Sequence, residues 1–303
     1  MKQSAPKRRG RRTPDRVNVY KVQSRTTLLD FLLSVFSDKS RTTVKSYLTH
    51  RQVAVNDVPT TQYDVVLQAG DEVKVNFDRS FHVFRHNRIR LVYEDEFILV
   101  IDKGYGVLSM ATERIKEGTA YRIMSDYVKR ENPGAAIFIV HRLDRDTSGL
   151  MMFAKSQGVQ ETLQRNWNNL VLSRKYVAVV EGTPEPAEGI VRSYLAENSA
   201  FEVYSTQNPE EGQLAVTRYK TLKSNGRFSL VELDLETGRK NQIRVHMKDL
   251  GHSIVGDRKY GAKGSPIGRV ALHASKLHFA HPITRKEMLF ETPVPQKFLY
   301  IVG

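Results

Sequence analysis

The chain has 303 residues, 40% of them hydrophobic and 26% charged, and its 47 Lys+Arg against 33 Asp+Glu leave a formal net charge of +14. This excludes a fibrous or wholly disordered chain, and the length favours a small domain beside a larger one. The absence of cysteine excludes a disulfide framework, thiolate metal sites and a cysteine nucleophile, and fits a reducing, cytoplasmic setting.

Residues 1–16 carry seven basic residues and one acid. A polycation with so few apolar residues cannot bury enough surface to order itself, so a disordered basic tail is expected. It suits electrostatic attachment to nucleic acid, and equally a solubilising role. No secretory signal is expected, since the basic stretch lacks an apolar core, and no apolar run approaches the ~20 residues of a membrane helix.

Residues 17–78 balance seven basic against seven acidic residues. Leu28, Leu29, Leu32, Leu33 and Phe36 follow a helical period after Thr26-Thr27, and Ser40 can cap a second helix running to about Leu48. Short strands are expected at Val53-Ala54-Val55, Val65-Val66-Leu67 and along Val73, Val75 and Phe77, with turns at Asn56-Asp57 and Gly70-Asp71. Arg41 and Lys45 lie four apart on the exposed side of the second helix, with Arg51 just beyond it. The run from Ser40 through Leu48, with Arg51-Gln52-Val53-Ala54-Val55-Asn56 and Ala69-Gly70-Asp71-Glu72-Val73, resembles the S4 RNA-binding domain. That resemblance implies Arg41, Lys45 and Arg51 as contacts to structured RNA.

A basic connector is expected over 79–90 and a second domain over 91–303. Residues 91–101 read as two strands around an acidic turn. Helices fit 119–130, with Tyr121, Met124, Tyr127 and Val128 on one face, and 157–167. Strand patterns lie at 137–140, 150–154, 176–180, 215–219 and 228–235. Strands broken by single helices, without regular βαβ alternation, point to an α+β domain. Gly104-Tyr105-Gly106 lacks the third glycine and the βαβ setting of a dinucleotide loop. His273, His278 and His281 do not have metal-ligand spacing and read as polar surface or structural residues, so neither metal nor cofactor is expected.

Two segments concentrate chemistry. His141-Arg142-Leu143-Asp144-Arg145-Asp146-Thr147-Ser148-Gly149 lies between apolar stretches, and such density is costly unless its groups pair. It reads as a site or as a salt-bridged strand connection. In Glu236-Thr237-Gly238-Arg239-Lys240-Asn241-Gln242-Ile243-Arg244-Val245-His246, the spacing of Ile243, Met247 and Leu250 predicts a helix ending at Gly251. Arg244 sits at the edge of its apolar stripe, where a long stem can carry a guanidinium to a buried carboxylate, with Asp144 the candidate.

The first segment with Leu150-Met151-Met152-Phe153-Ala154-Lys155, then Arg174-Lys175-Tyr176-Val177-Ala178-Val179-Val180-Glu181-Gly182, the Gly238–His246 stretch, and Leu272-His273-Ala274 with His281-Pro282, together resemble the RluA-type pseudouridine synthases over about residues 90–297. The family's usual Lys-Pro-x-Gly is Lys103-Gly104-Tyr105-Gly106 here, and its Gly-Arg-Thr-His-Gln is Gly238-Arg239-Lys240-Asn241-Gln242. The first change is expected to affect a loop beside the site, the second RNA contacts more than chemistry. The resemblance implies a catalytic domain built on a mixed, largely antiparallel sheet flanked by helices. It assigns Asp144 as the catalytic carboxylate, Arg244 as its charge partner, Tyr176 as the platform for a flipped uracil, and Arg142 as the side chain that fills the vacated stack. A monomer acting on RNA is expected, with large-subunit ribosomal RNA the favoured target. The alternatives weighed are a tRNA-directed synthase, a non-catalytic RNA-binding assembly factor, and a glycosidase, for which a second acid in a motif is wanting.

Overall fold

The computed structural model describes residues 16–303 except 57, 79, 82 and 83, so the expected basic tail, apart from Arg16, lies outside the described residues. The chain divides into two compact units between residues 83 and 84.

The first unit runs β1 (Val17–Lys21), β2 (Thr26–Thr27), α1 (Leu28–Val35), α2 (Arg41–Thr49), β3 (Val53–Val55), β4 (Val58–Pro59), β5 (Val66–Leu67) and β6 (Glu72–Asn76). Both helices begin where a hydroxyl satisfies an orphan amide: Thr27 accepts from the Asp30 N–H and Ser40 from the Thr43 N–H. Leu28, Leu32, Val44 and Leu48 pack against Val73 and Val75 of an antiparallel sheet ordered β1-β6-β3-β4. Phe36, Tyr47 and Phe77 meet edge to face beside them.

The second unit continues with β7 (Ile89–Glu94), β8 (Ile98–Lys103), α3 (Ala120–Glu131), β9 (Phe138–Ile139), β10 (Ser148–Ala154), α4 (Gln157–Arg165), α5 (Trp167–Leu170), β11 (Val171–Glu181), β12 (Glu188–Glu197), β13 (Val203–Thr206), β14 (Gln213–Ser224), β15 (Phe228–Leu235), α6 (Gln242–Asp249), β16 (Leu272–Ala280), β17 (Glu287–Glu291) and α7 (Gln296–Val302). The strands form one sheet ordered β13-β12-β14-β15-β11-β16-β10-β8-β7, with β17 on β16 and β9 on β10. Among the described residues every pairing in it is antiparallel except β10 with β16. This is an α+β architecture with a mixed, largely antiparallel sheet.

Several boundaries differ from the sequence reading. The connector expected over 79–90 ends early, because Ile89 is buried in β7 and Phe84 packs edge to face on Tyr127. The helix expected over 157–167 breaks at Asn166 into α4 and α5. Tyr121 faces outward, and Ala120 takes its place on the buried side of α3.

Register places the site. Tyr176 pairs with Ala274, Ala274 with Gly149, and Gly149 with Lys103, so one row crosses β11, β16, β10 and β8. Gly149 is required there: its φ is +113°, and a Cβ would stand 2.2 Å from the Ala274 carbonyl oxygen. The segment bearing Asp144 runs into this row at the start of β10.

Candidate active site

The loop before β10 is held by its backbone. Ser109 Oγ donates to the Leu143 carbonyl at 2.6 Å and accepts from the Leu143 N–H at 3.0 Å. Lys103 is wholly buried, and its Nζ donates to the carbonyls of Val107 at 2.8 Å and Thr147 at 2.7 Å, with Gly104, Asp144 and Arg145 at 3.2–3.4 Å. Burial pulls the ammonium down to about 7, against the charges of Asp144 and Asp146, which favour the proton. Lys103 thus ties the loop to the end of β8, a role its place in the Lys103-Gly104-Tyr105-Gly106 motif did not by itself specify.

The change at Gly104 has a direct cause. Its N–H donates to the Arg88 carbonyl at 2.6 Å, a bond proline cannot make, and a Cβ would approach the same oxygen to 2.7 Å.

With the backbone fixed, the Asp144 carboxylate projects into a pocket also lined by Arg142, Tyr176 and Arg244. The structure therefore brings together four of the residues singled out in the sequence, whereas Arg41, Lys45 and Arg51 lie exposed in the first unit. Arg142 is exposed at the pocket's mouth. Its neighbour His141 turns away, Nε2 accepting from the Met152 N–H at 3.0 Å, and burial pulls it down to about 3. Tyr176 is 8% exposed, and burial raises its phenol above the usual range, Asp144 adding to the shift and Arg174 opposing it.

Arg244 is shared differently from the sequence expectation. Nε and one terminal nitrogen donate to the two oxygens of Asp257 at 2.6 and 2.7 Å, while the other terminal nitrogen meets Asp144 Oδ2 at 3.4 Å. Asp257 is 1% exposed and Asp144 25% exposed, so the tight bidentate pair is the buried one. Asp257 belongs to no motif in the sequence. Desolvation works against the Arg244 charge, but hydrogen bonds to Asp257 and the charges of Asp257 and Asp144 outweigh it and raise its pKa. The guanidinium also lies 4.8 Å from the centroid of the Tyr260 ring.

Asn241 belongs to the second motif change. It stands in the left-handed region at φ 54°, donates to the Tyr260 hydroxyl at 2.9 Å, and accepts from Arg244 at 3.1 Å. It therefore touches the charge network directly. Gln242 is structural, donating to the Val216 carbonyl and the Thr217 hydroxyl.

On the far side of the row, the Ser148 hydroxyl bonds His273 Nδ1 at 2.8 Å and accepts from Arg269 at 2.7 Å. His273 Nε2 meets Thr292 and His281 Nε2 meets Asp95, so both rings are buried and structural, not surface groups.

Asp144 and Tyr176 thus line one pocket on a mixed α+β sheet. The sequence pattern described as RNA pseudouridylate synthase matches residues 97–249. The chain belongs to that family and is an RNA pseudouridine synthase, an isomerase that modifies RNA. It is 32% identical over 261 residues to the uncharacterized RNA pseudouridine synthase YhcT of Bacillus subtilis, spanning 84% of this chain and 86% of that one. It is 31% identical over 288 residues to ribosomal large subunit pseudouridine synthase D of Escherichia coli, spanning 89% and 88%. Human RNA pseudouridylate synthase domain containing 4 shares the fold with a TM-score of 0.57 at 24% identity, over 69% of this chain and 90% of that one. Among the described residues no helix is long and apolar enough to cross a membrane.

Proposed function

We propose that this enzyme isomerises specific uridines in large-subunit ribosomal RNA, acting as a cytoplasmic monomer. The observation that carries the reading is the convergence of Asp144, Tyr176 and Arg244 on one pocket. The reaction breaks the N1–C1′ bond, turns the base, joins C5 to C1′, and moves the C5 proton off as N1 gains one. Asp144 is the carboxylate that starts it, either by attacking the uridine or by taking a ribose proton. Arg244, anchored by Asp257, presents its remaining N–H face to Asp144 and aims that carboxylate.

A uridine in folded RNA reaches Asp144 only when flipped out, which costs a few kcal/mol. Arg142 at the mouth is placed to occupy the vacated stack with its planar guanidinium. Tyr176 stacks on the uracil. Since its phenol is held above the usual range, it is neutral at working pH, and it accepts the C5 proton only by releasing its own. The first unit resembles an S4 domain and supplies Arg41, Lys45 and Arg51 to RNA phosphates. Likeness to an enzyme named for the ribosomal large subunit supports the choice of substrate.

The test is pseudouridine mapping of ribosomal and transfer RNA from cells with and without the gene. Loss of defined sites in large-subunit RNA, restored by the wild-type gene and not by Asp144→Asn, is expected. Losses confined to transfer RNA would overturn the substrate assignment.

A further inference from the structure

A second, larger cavity of about 510 Å³ opens between the end of β12, the loop entering β14 and the Gly238-Arg239-Lys240 turn. Arg239 lines both this cavity and the pocket of Asp144. Beside it, the turn joining β12 to β13 carries Phe201, which is 73% exposed and has a φ of +59°. A phenylalanine gains nothing from this position in folding terms: it buries little, and the left-handed region is strained for it. The surroundings nonetheless fix it. Asn198 Oδ1 accepts from the Ala200 and Glu202 N–H groups, the Asn198 carbonyl accepts from the Phe201 N–H, and Lys259 Nζ donates to the Phe201 carbonyl at 3.2 Å. Lys240, one of the two residues that depart from the family's motif, pairs with Glu197 and places its ammonium 5.9 Å from the centroid of the Phe201 ring.

An exposed ring on a hydrogen-bonded turn, beside a cation whose neighbour Arg239 lines the reacting pocket, is a stacking surface. We infer that Phe201, backed by Lys240, holds an unpaired nucleobase of the RNA that flanks the target uridine. The cavity selects a base and not a phosphate, because Glu197, Glu210 and Glu211 line it against Arg239 and Lys240. Carboxylates repel phosphate and accept hydrogen bonds from the N–H groups of a base. The inference rests on the placement of the target uridine at Asp144 and adds a determinant of which uridine is chosen.

The test uses the full chain and a large-subunit ribosomal RNA transcript, with wild type, Phe201→Ala, Phe201→Gly and Phe201→Trp. Loss of one base–ring stack weakens Kd about 5- to 150-fold. The expected result is that loss for alanine and glycine, with kcat at saturating RNA and the salt slope of binding unchanged. Tryptophan should restore affinity. Glycine should melt no lower than wild type, because it relieves the strained φ. An abasic nucleotide at the flanking position should remove the difference between wild type and alanine. Binding by both small variants within twofold of wild type would overturn the platform, as would a loss that tryptophan does not repair. Pseudouridine formation is read in parallel. Failure of the substrate assignment shows as no product from any variant, whereas failure of the platform shows as equal binding by wild type and Phe201→Ala.

Discussion

Asp144 and Asp257 both face Arg244, yet they carry different loads. The Asp257 pair is short, bidentate and buried, so Asp257→Asn leaves a buried guanidinium poorly compensated, at a cost of about 3–5 kcal/mol. The Asp144 contact is long, at 3.4 Å, and its carboxylate is 25% exposed, a setting in which a pair is worth roughly 1 kcal/mol or less. Thermal melts should therefore show Asp257→Asn well below wild type and Asp144→Asn near it, although both lose activity. Equal melting temperatures for the two would show that Arg244 is not anchored as described. Tyr176 allows a second separation, because phenylalanine keeps the ring and removes the oxygen. With its phenol raised by burial, Tyr176 acts on C5 only through a relay, so Tyr176→Phe should bind and flip uridine yet fail to release product. Single-turnover assays with uridine deuterated at C5 check this. A wild-type rate with an unchanged isotope effect would leave Tyr176 as a stacking surface alone.

The elements around the site were unequally legible in the sequence. α1, α2, α3 and α6 combine a capping hydroxyl or a following glycine with an apolar stripe, and both signals are local. Strands β12, β13 and β17 are half-exposed, with polar residues on the open face, so little apolar signal marks them even though each pairs with a strand adjacent in the chain. Asp144, Tyr176, Arg244 and Arg142 were found through motifs, whereas the buried contacts of Lys103 and Asp257 emerge only once β8 and the 3₁₀ turn at Arg258–Tyr260 are folded beside them. Lys103 ties a loop to a strand. Lys103→Met removes the donor shared by five carbonyls and should lower both the melting temperature and kcat. The pH dependence has a definite sign. The folded-state ammonium lies at about 7 and the unfolded one near 10.4, so between those values the unfolded chain binds more protons. The burial penalty is thus complete below pH 7 and relaxes as pH rises through that window. Wild type should gain stability relative to Lys103→Met between pH 7 and 9. A gap that narrows over that range would contradict the buried, destabilised ammonium.

Across the whole molecule, separate cores support the two units, one around Leu32 and Val44 and others on the large sheet. A fragment of residues 84–303 should fold and keep its chemistry on saturating RNA while binding more weakly. Residues 1–16 hold seven of the basic residues against one acid, and each phosphate contact they make contributes roughly 0.7–0.9 to the slope of log K against log salt. Titrations at several salt concentrations should give a shallower slope for the fragment, and identical slopes would reduce the basic segment to a solubilising role.

The central claim is that the Asp144 carboxylate performs the isomerisation in a pocket that RNA enters without its help. Its most direct test is Asp144→Asn with the full chain and a large-subunit ribosomal RNA transcript, measuring Kd and single-turnover pseudouridine formation together. The expected result is a Kd within a few-fold of wild type and no pseudouridine at any enzyme concentration. Near-normal turnover by the asparagine variant would contradict the account.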